Sequence, residues 1–348
     1  MNTPRRIIAG YAMDHSLGGI TAEDAGILTH LFLAFAVVEE GGVTDRLITQ
    51  IFEVERIREY NPNLRVLVSV GGWGAGGFSE AAATPAGRER FAKTAASIVE
   101  RRGLDGIDID WEYPCYSEAG IASAPDDKEN YTLLMRALRE ELDRLSERTG
   151  RRYELTTAVG ADQYYVDGSE MASVASVCDW INVMTYDMRG GFQILTGHHT
   201  GLFTPTGDLF RISADASVRM YVDAGVPPAR ILLGAAFYSR RWVDVPDRNN
   251  GLFQMSLGSG RHGPRYTEIA RELLPGGAYA RFWDDEAKAP WLFDGSTFLS
   301  YDDEESIAHK CRYVRDNGYA GIFYWEHGCD ETRTLLHALH DGLAKEGA

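Results

Sequence analysis

Short apolar runs recur along the chain, separated by longer stretches in which apolar residues return every three or four positions. The short runs are Ile7–Tyr11, His30–Val38, Arg65–Val70, Gly106–Trp111, Tyr153–Val159, Trp180–Thr185, Ile231–Phe237 and Gly321–Trp325. Several are nearly continuous in Val, Ile, Leu and Phe, as parallel strands covered on both faces should be. Between them the spacing predicts helices. In Asp126–Arg148, Leu134, Leu138, Leu142 and Leu145 fall on one stripe among charged neighbours. Thr84-Pro85 opens another helix at about Ala86, and Gly103 stops it near Arg102. Eight strands alternating with helices predict an α/β chain folded as a (β/α)8 TIM barrel. An open doubly wound sheet is the alternative, but it usually has fewer strands and a Gly-rich turn after the first. Here the first strand runs into Gly10-Tyr11-Ala12-Met13, which is no such turn.

One stretch breaks the rhythm. After Tyr238-Ser239-Arg240, roughly sixty residues pass before the next helical pattern at Glu304–Asp316, too long for an ordinary loop. The stretch is rich in Gly, Pro and aromatics, among them Trp242, Phe253, Tyr266, Trp283, Trp291 and Phe298. A structureless loop would leave these rings in water. We therefore expect a small α+β insertion domain over residues 242–301, between strands seven and eight. The barrel would be built from 1–241 and 302–348.

Composition narrows the functions. The 348 residues carry a formal charge of −16 and are 44% hydrophobic, too apolar for a disordered chain. An acidic surface argues against nucleic-acid binding, which rests on Lys and Arg neutralising phosphate. No apolar run approaches the ~20 residues of a membrane-crossing helix. The first apolar stretch is too short for a signal-peptide core, so a cytoplasmic protein and a secreted one with its leader removed both remain open. Cys115, Cys178, Cys311 and Cys329 lie far apart and suggest neither a disulfide framework nor a zinc site.

The chemistry is concentrated in Asp105-Gly106-Ile107-Asp108-Ile109-Asp110-Trp111-Glu112-Tyr113-Pro114. On a strand, alternate side chains share a face and advance ~6.6 Å per pair. Asp108, Asp110 and Glu112 therefore form one file; Ile107, Ile109 and Trp111 form the other. The apolar file suits the helix-covered outside of a barrel, which turns the acids into the lumen. Burial and mutual repulsion favour protonation, so at least one should keep its proton to high pH. Glu112, nearest the rim, is the natural proton donor; Asp110 should share a proton with Asp108 in a coupled titration. A half-exposed strand or a Mg²⁺ or Ca²⁺ site could also carry such acids. The Ile-Ile-Trp file speaks against a wet face, and no further Asp/His cluster completes a metal shell.

This run resembles the D-G-x-D-x-D-x-E signature of glycoside hydrolase family 18, the chitinase family. Five further motifs resemble that family in its order. They are Ala34-Phe35-Ala36, Ser69-Val70-Gly71-Gly72-Trp73, Met184-Thr185-Tyr186-Asp187, Phe237-Tyr238-Ser239-Arg240 (with Ser for Gly) and Gly321-Ile322-Phe323-Tyr324-Trp325-Glu326. Bacterial-type members also carry an insertion between strands seven and eight. The resemblance implies a retaining hydrolase in which the substrate's own 2-acetamido group attacks C1, an exception to hydrolysis by two carboxylates. It implies Glu112 as general acid and base, Asp110 as partner of the acetamide N–H, Asp108 as its proton partner, and Tyr186 as donor to the acetamide oxygen. Tyr11 and Ser69 would hold the buried aspartates. Phe35 and Met184 would shape the acetamide pocket. Asp187, Tyr238 and Arg240 would hydrogen-bond the sugars, Trp325 would floor the distorted ring, and Trp73 would wall the leaving side. It implies no cofactor and no metal.

The activity expected is cleavage of β-1,4-linked N-acetylglucosamine in chitin or its oligosaccharides, by a protein acting as a monomer. A non-catalytic chitin-oligosaccharide-binding protein and an endo-β-N-acetylglucosaminidase acting on glycans are the alternatives; the intact Glu112 disfavours the first and the insertion the second. Other signals carry less. Gly71–Gly77 lacks the Lys-Ser/Thr of a phosphate loop and reads as a strand-to-helix loop by the cleft. His198-His199 should lie in a loop near the cleft. Arg101-Arg102 and Arg151-Arg152 read as helix ends or turns, and Asp302-Asp303-Glu304-Glu305 as a helix cap.

Overall fold

The structure, a computed structural model, describes residues 6–344. Its centre is a closed ring of eight parallel strands. In chain order these begin with β1 (Ile7–Met13), β2 (His30–Glu39), β3 (Arg65–Gly71), β4 (Gly106–Asp110), β5 (Glu154–Val159), β6 (Trp180–Val183) and β7 (Ile231–Ala236). The last barrel strand, β13 (Gly321–Trp325), pairs with both β7 and β1, and β1 pairs with β2, so no edge is left open. Each matches an apolar run of the sequence to within a residue or two.

The helices form where the stripe and the caps agree. In α1 (Pro85–Arg102), the Thr84 hydroxyl accepts from Gly87 N–H, proline occupies the first turn, and Gly103 ends the helix in the left-handed conformation. In α2 (Asp127–Thr149) the four leucines of the stripe are buried against the barrel. Helix α3 (Glu304–Asp316) starts at a capping box in which Asp303 accepts from the Glu305 and Ser306 amides and Ser306 Oγ accepts from the Asp303 amide. The neighbouring Asp302 takes another role: it is buried and receives Lys310 Nζ at 2.6 Å.

The aromatic stretch folds into a five-stranded antiparallel sheet with a short 3-10 turn (Asn249–Gly251) and a continuous helical stretch from Tyr266 to Gly276. Its strands are β8 (Tyr238–Trp242), β9 (Arg261–Arg265), β10 (Ala280–Asp284), β11 (Ala289–Phe293) and β12 (Phe298–Ser300), in the spatial order β9-β8-β12-β11-β10. Its own core gathers Trp242, Val245, Leu252, Trp291, Phe293 and Phe298. Trp242 is fully buried, and deleting its side chain would cost about 3–5 kcal/mol. Strand β8 begins at Tyr238, directly after β7, so the sheet grows out of the barrel's C-terminal rim. Among the described residues no helix is long and apolar enough to cross a membrane, and the cysteines form no disulfide with one another.

Candidate active site

Strand β4 divides its side chains as the pleat dictates. Ile107, Ile109 and Trp111 are fully buried on the outside, where the Trp111 ring stacks on Phe78 and meets the edge of Tyr131. Asp108, Asp110 and Glu112 take the other face and are 0, 5 and 9% exposed.

Asp108 sits level with Ser69 on β3 and Thr156 on β5. That register makes its partners. Oδ2 accepts from Tyr11 hydroxyl at 2.9 Å and Ser69 hydroxyl at 2.7 Å; Oδ1 accepts from Thr156 hydroxyl at 2.6 Å and Asn182 amide at 3.4 Å. Burial raises its pKa and the three hydroxyls hold the rise in check. Asp110 has no such relief. Burial, then the charges of Glu112 and Asp108, push it well above the usual carboxylate range, and its Oδ1 is buried without a hydrogen-bond partner. Glu112 is pushed up to about 7 by burial, against a hydrogen bond from Tyr113 and with the help of Asp187's charge.

Two glycines let β3 and β2 close on this strand. Gly71 lies beside Asp110 with φ +124°, where a Cβ would stand 2.0 Å from the Asp110 carbonyl oxygen. Gly72 donates its amide to that same oxygen at 2.9 Å, and a Cβ there would strike the Phe35 ring at 2.8 Å. Phe35 in turn stacks on Trp325, centroids 5.4 Å apart and planes 19° from parallel, and Tyr11 lies 5.9 Å from the same indole. Strands β1, β2 and β13 thus converge on one aromatic floor beside the acids.

The opposite wall comes from β6 and β8. Met184 and Tyr186 are buried, and the Tyr186 ring packs edge-on against Tyr238 and Phe323. The Tyr186 hydroxyl is held protonated by burial and by the nearby charges of Asp110 and Glu112. Asp187 receives the Arg240 guanidinium through both oxygens, one bond being 2.6 Å. Burial works against its charge, but His199 and Arg240 hold it well below the usual carboxylate range. Ser239 fits where the family motif has glycine: it is buried and donates to the Pro264 carbonyl at 2.8 Å.

Of the site residues expected from the sequence, Tyr11 and Ser69 meet Asp108, Phe35 stacks on Trp325, Tyr186 packs on Tyr238, Asp187 pairs with Arg240, and Met184 is buried, while Trp73 stands apart at the surface. Trp73 is 55% exposed and its ring touches Tyr113 and the exposed Phe192. Thr156, Asn182, Tyr113 and Phe192 belong to the same surroundings and were not expected there, whereas His199, expected in a loop near the cleft, lies against Asp187. Asn182, a polar residue inside the apolar run Trp180–Val183, was a visible signal; Phe192 had none. Among the described residues no group of three or more His, Cys, Asp or Glu is placed to hold a metal ion.

A family model described as Glycosyl hydrolases family 18 matches residues 7–330. Chitinase A1 of Niallia circulans is 36% identical over 316 residues, which cover 85% of this chain and 45% of that protein. Chitotriosidase-1 of Mus musculus is 31% identical over 317 residues, covering 87% and 67%. This chain thus spans about half the length of the former. The solved structure of a family 18 N-acetylglucosaminidase from Paenibacillus barengoltzii superposes with a TM-score of 0.96 at 56% identity, covering 97% of this chain and 100% of that one.

Proposed function

The chain belongs to the family 18 glycosyl hydrolases, and from that premise we propose that it cleaves β-1,4-linked N-acetylglucosamine in chitin or its oligosaccharides with retention of configuration. The observation that carries this reading is the Asp110 carboxyl, buried between two other acids with one oxygen unpartnered. Such an atom calls for a donor from outside the protein. The N–H of a substrate acetamide is that donor. It also turns the acetamide carbonyl toward C1, with the Tyr186 hydroxyl on its oxygen.

Glu112, protonated up to about pH 7, gives its proton to the glycosidic oxygen as the C1–O bond breaks and the acetamide oxygen bonds to C1. The positive charge that spreads into the oxazolinium ring is met by Asp110 as the proton it shares with Asp108 passes to Asp108. Glu112, now a carboxylate, takes a proton from the water that opens the ring. Trp325 and Phe35 floor the sugar, and Asp187, Tyr238 and Arg240 hydrogen-bond around the cleaved bond. Trp73 walls the side where the leaving sugar departs. The chain acts as a monomer in this reading, and residues 242–301 raise one wall of its cleft.

A ladder of chitin oligomers with product analysis tests the proposal. Hydrolysis by the wild type, and loss of at least about 100-fold in rate for Glu112→Gln, are expected. Equal rates for the two proteins refute it. Saturable binding without products would favour the non-catalytic reading, and cleavage of N-glycans but not of chitin oligomers the endo-β-N-acetylglucosaminidase one. Product size also decides between release of chitobiose and of single N-acetylglucosamine units, the latter being the activity named for the Paenibacillus barengoltzii protein.

A further inference from the structure

We propose that His199 is a positioning residue that fixes Asp187, and that through Asp187 it sets how firmly Glu112 holds its proton. The proposal rests on the reading of Glu112 as the general acid.

His199 lies in the segment between β6 and β7, and its ring is fully buried. The backbone around it is anchored. Its N–H donates to Ser300 Oγ at 2.8 Å and its carbonyl accepts from Met188 N–H at 3.1 Å. The next residue, Thr200, donates to Asp302 and receives Lys310 Nζ. The imidazole packs edge-on against Tyr238, centroids 5.4 Å apart.

Both contacts of Nδ1 are to Asp187. The Asp187 backbone N–H donates to it at 3.4 Å, and the carboxylate Oδ1 lies 3.5 Å away. Nε2 is buried without a partner. An unpaired buried nitrogen costs about 1–3 kcal/mol, a cost that phenylalanine in the same space would avoid. What imidazole adds over phenylalanine is Nδ1, and Nδ1 serves Asp187. That residue needs holding, because its backbone sits in the left-handed region at φ +56°. Left with Arg240 alone, the Asp187 carboxylate would follow the guanidinium and average away from Glu112, whose proton its charge helps to retain.

The charges around the ring come from three elements. Asp187 faces it from its own segment, Arg240 from β8, and Asp302 from the turn before α3. His262 on β9 lies on Tyr238 as well, 5.7 Å between centroids. Burial keeps the His199 ring neutral to lower pH than a free histidine, so at neutral pH Nδ1 accepts the Asp187 amide. Protonated in acid, the same atom donates to Oδ1 instead.

Carboxyl-¹³C NMR of glutamate-labelled protein, with Glu112 assigned through Glu112→Gln, tests this without turnover. In His199→Phe the Glu112 midpoint should fall by about half a pH unit or more, because the raising charge of Asp187 is displaced. In His199→Asn, whose amide oxygen can accept the Asp187 N–H, most of the fall should be recovered. On chitin oligomers, His199→Phe should lose about tenfold in kcat with KM within about twofold, and its alkaline limb should move to lower pH. A folded His199→Phe with an unchanged or raised midpoint overturns the proposal, as does an Asn variant no better than Phe. Should His199→Phe not fold, a displaced midpoint in folded His199→Asn overturns it. An inactive wild type would sink the activity reading while leaving the titration to judge His199; an active enzyme with unmoved midpoints would sink the His199 proposal alone.

Discussion

Ser69 and Asp108 face each other across the β3–β4 ladder, and the serine hydroxyl donates to Asp108 Oδ2 over 2.7 Å. The pair shows how the barrel tolerates three acids in its lumen. Neighbouring strands bring hydroxyl and amide donors level with the innermost carboxyl, and the repulsion that remains falls on Asp110 and Glu112. Ser69→Ala removes one donor and should push the Asp108 pKa further up. We expect about a tenfold loss in kcat and a stability loss of about 1–3 kcal/mol, read by steady-state kinetics and urea unfolding.

The Glu112 proton gives the pH profile its alkaline limb. Protonated Glu112 is the working form, so kcat/KM should fall as pH rises through about 7. The same shift acts on stability. A carboxyl whose pKa is raised by folding contributes stability below its unfolded pKa, and that contribution is lost as pH rises through the folded value. Between about pH 4.5 and 7 the wild type should therefore lose on the order of 3 kcal/mol relative to Glu112→Gln. Parallel stability curves for the two proteins across that window would contradict the assignment.

Gly71→Ala attacks the close approach of β3 to β4. With 2.0 Å between the added Cβ and a backbone oxygen, the strands must separate. We expect a loss of more than about 3 kcal/mol or failure to accumulate folded protein, measured by thermal unfolding. A melting point within a degree or two of the wild type would show that β3 and β4 part at little cost.

Asp303 offers the opposite case, a change that should cost stability without touching chemistry. Asp303→Ala removes the cap of α3 and one of the two carboxylate partners of Arg281, whose guanidinium donates to it at 2.6 and 2.8 Å and to Glu305 at 2.8 Å. A loss of about 1–2 kcal/mol is expected, with kcat unchanged. A changed kcat would mean that α3 is coupled to the cleft.

The chain by itself determined the eight strands, the alternation that aims Asp108, Asp110 and Glu112 inward, and the break in rhythm after Arg240. These are local properties: a pleat of period two and a helix of period 3.6 hold wherever the segment lies. It did not reveal that Thr156 and Asn182 complete the Asp108 shell, that Phe192 meets Trp73, or that His199 lies against Asp187. Those contacts follow from strand register, ring closure and the paths of long loops. Tyr11 reaches Asp108 across 97 residues, and Asn182 reaches Tyr11 across 171. Only the closed barrel decides which hydroxyl stands level with which acid, and so which carboxyl is relieved and which is left to seek its partner in the substrate.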